Sequence, residues 1–304
     1  MKQKVSDYIA DRIAQWGIRD VFTVTGGGAM HMNDSFGHHP KLHCTYQHHE
    51  QACAMAAEAY ARMDNRMAAV CVTTGPGATN AITGVLGAWM DSIPMLVFSG
   101  QARYATTVPA SGLPLRSMGV QECNIVPVVA SITKYAHMVI HPEDIRYHLE
   151  KALYMAATGR PGPVWLDLPL DVQGAIIETE SLRAYDPAEN PENGQVTPLP
   201  DIQELTYYMH GTMMEPIWSV SLIRQGEEAL VRVEPWDKEE EEFYDYPAEA
   251  EILEKARVIL ETYDVASWAG FRGRDPNVSD GYSMRFQVKF TDGSKIRSEE
   301  RRVG

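Results

Sequence analysis

Residues 67–80 read MAAVCVTTGPGATN. The first half is an unbroken run of small and β-branched apolar residues, the composition of a strand buried on both faces rather than one that alternates with water. The second half, Thr74-Gly75-Pro76-Gly77-Ala78-Thr79-Asn80, is a glycine-proline turn leading into a helix. A strand covered on both sides needs helices above and below it. The stretch therefore predicts a parallel sheet in layered α/β architecture.

The same pattern extends in both directions. Upstream, residues 5–16 are amphipathic, with Ile9, Ile13 and Trp16 on one stripe. Residues 21–25 form a short β-branched run ending in Gly26-Gly27-Gly28, and residues 42–46 form another, followed by a helical stretch over 50–62. Downstream, residues 78–91 read as helix, 94–99 as strand, 142–158 as helix and 163–168 as strand. At residues 185–201, YDPAENPENGQVTPLPD, periodicity stops and proline, Asn-Gly and acidic residues take over. Beyond it, residues 204–208, 218–223, 229–233 and 283–290 read as antiparallel strands. Turns are expected at Gln225-Gly226-Glu227 and Thr291-Asp292-Gly293, and a helix over 248–263. The expected fold class is thus α/β, a parallel sheet with helices on both faces (1–182). A linker (183–200) and a smaller α+β domain (201–296) follow. Residues 297–304, RSEERRVG, resemble an in-frame translation of a sequencing-adapter oligonucleotide, and a charged, frayed C-terminus reads the same way.

Composition narrows the possible functions. The 304 residues are 44% hydrophobic with a mean hydropathy of -0.28, ordinary values for a globular chain. No stretch of about 18 apolar residues is present, so no membrane partner is expected. Residues 1–16 lack the basic-then-apolar order of a signal peptide, so a cytoplasmic protein is expected. A net charge of -14 argues against a nucleic-acid partner. Cys44, Cys53, Cys71 and Cys123 form no CxxC pair and read as reduced structural thiols.

Open parallel sheets bind ligands at the carboxyl ends of their strands. Both glycine loops, 25–29 and 74–80, fall at such ends, each before a helix. Neither matches the dinucleotide or P-loop pattern, and a tight strand-to-helix turn accounts for either loop taken alone. Their surroundings add more. The helix opening His49-Glu50-Gln51-Ala52 continues through Ala56-Ala57 to Arg62. Next come Thr73 to Asn80, Asp91-Ser92-Ile93-Pro94, Ser99-Gly100-Gln101, Gln121-Glu122 and Ile132-Thr133-Lys134. Gly159 to Val164, Asp167-Leu168-Pro169 and Asp171-Val172-Gln173 complete the series. In this order and spacing it resembles the N-terminal, pyrimidine-binding domain of thiamine-diphosphate (ThDP) enzymes of the acetolactate synthase family, from about residue 5 to residue 173.

The resemblance implies a site. Glu50 matches the glutamate that hydrogen-bonds the cofactor's aminopyrimidine and must exchange a proton in an apolar setting. A glutamate in a first helical turn is also favoured there by the helix dipole alone. Gly27, Gly28 and Ala29 match the loop near the thiazolium. Thr74, Pro76, Gly77 and Asn80 match the loop beside the pyrimidine. Gln121 and Lys134 match substrate-facing positions for a small 2-ketoacid, with Val120 standing where the family commonly has phenylalanine. The family holds the diphosphate through Mg²⁺ on a separate domain marked by Gly-Asp-Gly and a later Asn pair; Asp280-Gly281 and Asp292-Gly293 are incomplete versions of it. The implied protein is a 2-ketoacid carboligase or decarboxylase, a transferase or lyase. This chain is expected to be a fragment of one, inactive alone, that associates as a homo-oligomer or with a partner chain carrying the diphosphate domain. The alternative is a non-catalytic α/β binding module whose function resides in residues 201–296. In that region Trp218, Trp236, Trp268, Met209, Met213 and Met214 read as core or rim residues. The acidic run 237–242 reads as a solvated loop. His31, His38, His39, His48 and His49 show no metal spacing, and His49 reads as a cap.

Overall fold

The computed structural model describes residues 2–64, 66–190, 199–210, 218–235, 244–262, 265, 272–273 and 283–301. Trp236, Trp268, Met213, Met214, the 237–242 run, Asp280-Gly281 and residues 191–198 and 302–304 lie outside them, as do the side chains of Met209 and Trp218. The chain divides into two units, residues 1–194 and 195–304.

The first unit opens with β1 (Lys2–Lys4) and α1 (Val5–Trp16). It then alternates: β2 (Asp20–Thr23), α2 (Met30–His38), β3 (His43–Tyr46), α3 (Glu50–Asp64), β4 (Ala68–Val72), α4 (Pro76–Asn80), α5 (Ile82–Met90) and β5 (Met95–Gln101). Short helices α6 (Val108–Ser111) and α7 (Ile125–Val129) lead to β6 (Tyr135–Met138), α8 (Ile145–Ala157), β7 (Pro163–Pro169), α9 (Leu170–Gly174) and β8 (Ile176–Glu178). Six strands form one sheet in the order β3-β2-β4-β5-β7-β6, every pair parallel. β1 and β8 pair antiparallel as a separate ribbon.

The central strands β4, β5 and β7 are buried along their whole length, so alternate side chains feed two cores. Ala69, Cys71, Leu96, Phe98, Leu166 and Leu168 pack with Ile9, Ile13, Phe36 and Leu149 from α1, α2 and α8. Val70, Val72, Met95, Val97 and Trp165 pack with Ala54, Ala57, Val85 and Ile125 from α3, α5 and α7. The parallel sheet expected from the sequence is present. Three details differ. The 78–91 helix is interrupted at Ala81 and runs as α4 and α5. β6 has no apolar run of its own, because it is a half-buried edge strand. Residues 183–190, expected as linker, pack on α8: Tyr185 is buried, its N–H donates to Glu150 Oε2 at 3.0 Å, and Arg183 pairs with Glu189 at 2.9 Å.

An aromatic cluster covers the β6 edge. His137 of β6 stacks on His148 of α8 at 3.8 Å, and the Tyr135 hydroxyl lies 2.6 Å from His148 Nδ1. Lys151 sits 5.1 Å from the Tyr135 ring centroid, and Arg183 4.3 Å from that of Tyr147. Burial, then His137, Lys151 and Arg183, push the His148 imidazole down to about 4. The folded form therefore prefers neutral His148. Its stabilising contribution is complete above pH 6.5 and is lost as pH falls toward 4, because only the unfolded chain binds the proton in that window. Thermal melts from pH 7 to pH 4.5 should show a steeper loss of Tm for the native chain than for His148→Phe.

The second unit comprises β9 (Ile202–His210), β10 (Trp218–Gln225), β11 (Glu228–Pro235), β12 (Tyr244–Glu249), α10 (Glu251–Thr262), β13 (Arg272–Gly273), β14 (Ser283–Phe290) and β15 (Lys295–Arg301). Its sheet order is β12-β11-β10-β9-β14-β15-β13, antiparallel except where β13 meets β15. Ile202, Leu253, Leu260, Val288, Phe290 and Ile296 form its core. The two expected turns carry Gly226 and Gly293 at positive φ. The helix starts at Glu251 rather than 248, since Ala248 pairs with Ala229 in the sheet. β15 runs through residue 297, where a tail was expected to begin, and pairs with β14 as far as Arg301.

Candidate functional site

The carboxyl ends of β2, β4 and β5 bring two loops and the start of α3 together. After β2 the chain turns through Gly26, Gly27 and Gly28, anchored by Asn33 of α2. Asn33 accepts the Gly26 N–H at 3.3 Å and donates to Thr23 Oγ1 at 3.2 Å. Gly28 N–H donates to Thr73 Oγ1 at 3.1 Å. There is no space for side chains here. A Cβ on Gly28 would lie 1.8 Å from Thr74 Oγ1, and one on Gly100 would lie 2.1 Å from the Gly28 carbonyl oxygen. Ala29 is fully buried behind the loop, whereas Gly27 opens to free space.

The second loop follows β4. Gly75 has φ +60°, and its missing Cβ would lie 2.0 Å from the Gln121 carbonyl oxygen, so a left-handed turn and a close backbone approach coincide there. Gln121 itself has φ +56°. Pro76 then starts α4 at a position that needs no N–H.

Glu50 is the first residue of α3 and is half-buried. Asn80 Nδ2 donates to its Oε2 at 2.9 Å. Its Oε1 accepts no hydrogen bond among the described residues and faces Gly77, whose Cβ would stand 3.2 Å away. One carboxylate oxygen is thus fixed while the other looks onto backbone stripped of side chain. That arrangement can hold or exchange a proton with a flat nitrogen heterocycle lying against the glycines.

The fold brings Glu50, Gly28, Thr74, Gly77, Asn80 and Gln121 to this end of the sheet. It does not bring Lys134 there. The Lys134 N–H donates to the Pro163 carbonyl at the start of β7, at the amino end of the strands. Its ammonium donates to the Thr158 carbonyl at 2.6 Å, and burial pushes it down to about 8. His49 caps α3: its Nδ1 accepts the Gln51 N–H at 3.1 Å, and its carbonyl accepts from Ala52 and Cys53. His38, His39 and His43 lie beside Asp34, Asp11 and Asp20 respectively. Among the described residues, no group of three His, Cys, Asp or Glu side chains is placed to hold a metal ion. All four cysteines are free thiols, and burial, then Glu50, push Cys53 up to about 12.

Sequence reading assigned no role to the residues that hold the loops. Gln173, fully buried after β7, donates its Nε2 to the carbonyls of Gly28 and Leu168, both at 2.7 Å. Asn33 and Thr73 do similar work from α2 and the end of β4. Nothing local marks these residues, because each acts on backbone distant in the chain.

Residues 3–127 match the family described as thiamine pyrophosphate enzyme, N-terminal TPP binding domain. The chain is 37% identical over 174 residues to acetolactate synthase 2, chloroplastic, of Zea mays, covering 56% of this chain and 26% of that protein. It is 35% identical over 198 residues to the acetolactate synthase large subunit of Haemophilus influenzae, covering 63% and 33% respectively. It is 36% identical over 167 residues to the large subunit of Lactococcus lactis, covering 55% and 28%. The chain thus spans between a quarter and a third of the length of these relatives. The matched region contains Glu50, both glycine loops and Asn80, and residues 3–127 form a thiamine pyrophosphate enzyme N-terminal, TPP-binding domain.

Proposed function

We propose that the N-terminal unit binds the aminopyrimidine of thiamine diphosphate and serves a carboligation or decarboxylation of a small 2-ketoacid. The observation that carries the reading is the open Oε1 of Glu50 over Gly77, with Oε2 held by Asn80. The residues fit the group: Glu50 Oε1 accepts no hydrogen bond among the described residues, and a ring nitrogen needs a carboxyl partner. When bound, thiamine diphosphate supplies a thiazolium carbanion for addition to carbonyl carbon. Glu50 would hydrogen-bond a pyrimidine nitrogen and hold the proton that ring must gain and lose. Asn80 keeps the carboxylate from turning away. Gly28, Thr74 and Pro76 shape the cradle, and Gln121 lines the side from which substrate enters.

Under the same reading the diphosphate and its Mg²⁺ are held by a partner chain that carries a diphosphate domain. Exposed Met55 and Met63 on α3, with Leu86 and Met90 on α5, give that assembly an apolar face. Saturation-transfer NMR on the purified chain with millimolar thiamine diphosphate tests the binding. Transfer to the pyrimidine protons is expected for the native chain and should vanish in Gly77→Ala, whose added methyl presses on Thr73 Cγ2 and Glu50 Oε1. Equal transfer in both, or none in either, would overturn the reading.

A further inference from the structure

Asp167, near the end of β7, is fully buried behind the loops rather than in the cleft. Two donors converge on it: Ser99 O–H donates to Oδ1 at 2.6 Å and Gln101 Nε2 donates to Oδ2 at 3.1 Å. Each donor is committed elsewhere too. Ser99 Oγ accepts the Trp165 indole N–H at 2.8 Å, so its own proton points to the carboxylate. Gln101 Oε1 accepts the Ala102 N–H at 3.0 Å, and Nε2 also donates to the Cys123 carbonyl at 2.8 Å. Cys123 stands two residues past Gln121, whose carbonyl seats against Gly75. A continuous path therefore runs from a buried carboxylate to the wall of the cleft.

The directions of these bonds matter. An ionised Asp167 accepts both donors and leaves every atom of the Gln101 amide satisfied. A protonated Asp167 turns one oxygen into a donor facing donors. Flipping the amide to meet it would set Gln101 Oε1 against the Cys123 carbonyl. We propose that Asp167 is a positioning residue: ionised, it fixes the Gln101 amide so that Cys123 is pinned and the Gln121 segment stays seated on Gly75; protonated, it loosens that segment. The functional meaning rests on reading the Gln121 loop as a wall of the cofactor cleft, but the pinning itself does not.

Burial holds the Asp167 carboxyl up at about 7, against the pull of the Ser99 and Gln101 hydrogen bonds, so the change falls in an accessible range. No Lys, Arg or His is among the groups that shift it. The titratable group that feels its charge is the Cys123 thiol, which Glu122 also faces. The thiol is raised by burial, then by Asp167 and Glu122. At Glu122 the upward push of burial is overcome by the N–H groups of Gly119, Val108 and Met118, which keeps it ionised throughout this range.

Hydrogen exchange on the purified chain, read by mass spectrometry from pH 5.5 to 8.5 and corrected for intrinsic rates, tests the proposal without cofactor. Protection over residues 118–124 should fall about tenfold as pH drops through about 7, the equivalent of one hydrogen bond to a charged group. Protection over residues 50–64 should hold steady. Asp167→Asn should be flat and weakly protected over 118–124. Ser99→Ala should keep the step but move it to higher pH, since it removes a bond that favours the ionised form. A flat native profile, a step that persists in Asp167→Asn, an unmoved step in Ser99→Ala, or a parallel step over 50–64 overturns the proposal. If Asp167→Asn does not fold, the native chain and Ser99→Ala decide. Failure of the saturation-transfer experiment would leave this step in place, and failure of the step would leave that experiment unaffected.

Discussion

Glu50→Gln should slow exchange of the thiazolium C2 proton of bound thiamine diphosphate by roughly 10²–10⁴-fold, the usual worth of a positioned acid–base group. Deuterium exchange followed by NMR, on the chain reconstituted with the proposed diphosphate-binding partner, measures it. The amide keeps the shape of the carboxyl and the contact with Asn80, but a glutamine at this position cannot hold a proton for the ring. Stability should change little: Glu50 is half-buried, makes one side-chain hydrogen bond, and gains from its place at the start of α3 only about 0.3–1 kcal/mol. A variant that exchanges the proton at the native rate would remove Glu50 from the mechanism. One that loses exchange only because it unfolds would betray itself in its melting curve.

Gly75→Ala should produce the largest loss of stability in the first unit from a single added methyl. Two costs coincide. The φ of +60° with ψ -113° lies outside the αL well and costs a non-glycine residue at least as much as that well does, about 1–2 kcal/mol. The new Cβ, 2.0 Å from the Gln121 carbonyl oxygen, collides with backbone that cannot swing aside, and overpacking of that kind costs about 1–3 kcal/mol. Together they predict roughly 2–5 kcal/mol by urea denaturation. Gly112→Ala is the comparison: its φ of 65° and ψ of 8° lie in the αL well with nothing within 4 Å of the added methyl, so it should show only the αL cost of about 1–2 kcal/mol. Equal losses in the two variants would show that the close approach of the loops is not rigid.

The architecture of the first unit was legible because β4, β5 and β7 are buried on both faces, and such strands leave an apolar run with glycine or proline at its end. Glu50, Gly77 and Asn80 were singled out through the family resemblance, and the fold brings the three together, Asn80 and Gly77 both facing the Glu50 carboxylate. What was not legible lies in contacts between distant segments. Gln173 holds Gly28 across 145 residues, and no local pattern announces that bond. Tyr135–Met138 pairs at an edge and so lacks the signature of a buried strand. Lys134 shows the converse problem. Its place in the order of motifs suggests a substrate contact, but a residue that enters β6 rather than leaves it belongs to the far end of the sheet.

The ribbon of β1 with β8 joins residues 2–4 to residues 176–178. Its consequence is temporal. During synthesis the first strand has no partner until residue 178 has left the ribosome, which at about 5–20 residues per second takes roughly 10–35 s. Throughout that interval α1 and β2 can nucleate, but the amino terminus stays unfastened. The clasp between β1 and β8 is therefore a late act in the folding of this unit, followed only by the packing of residues 183–190 on α8, and a ribosome stalled before residue 178 would display a nearly finished sheet with a loose leading edge.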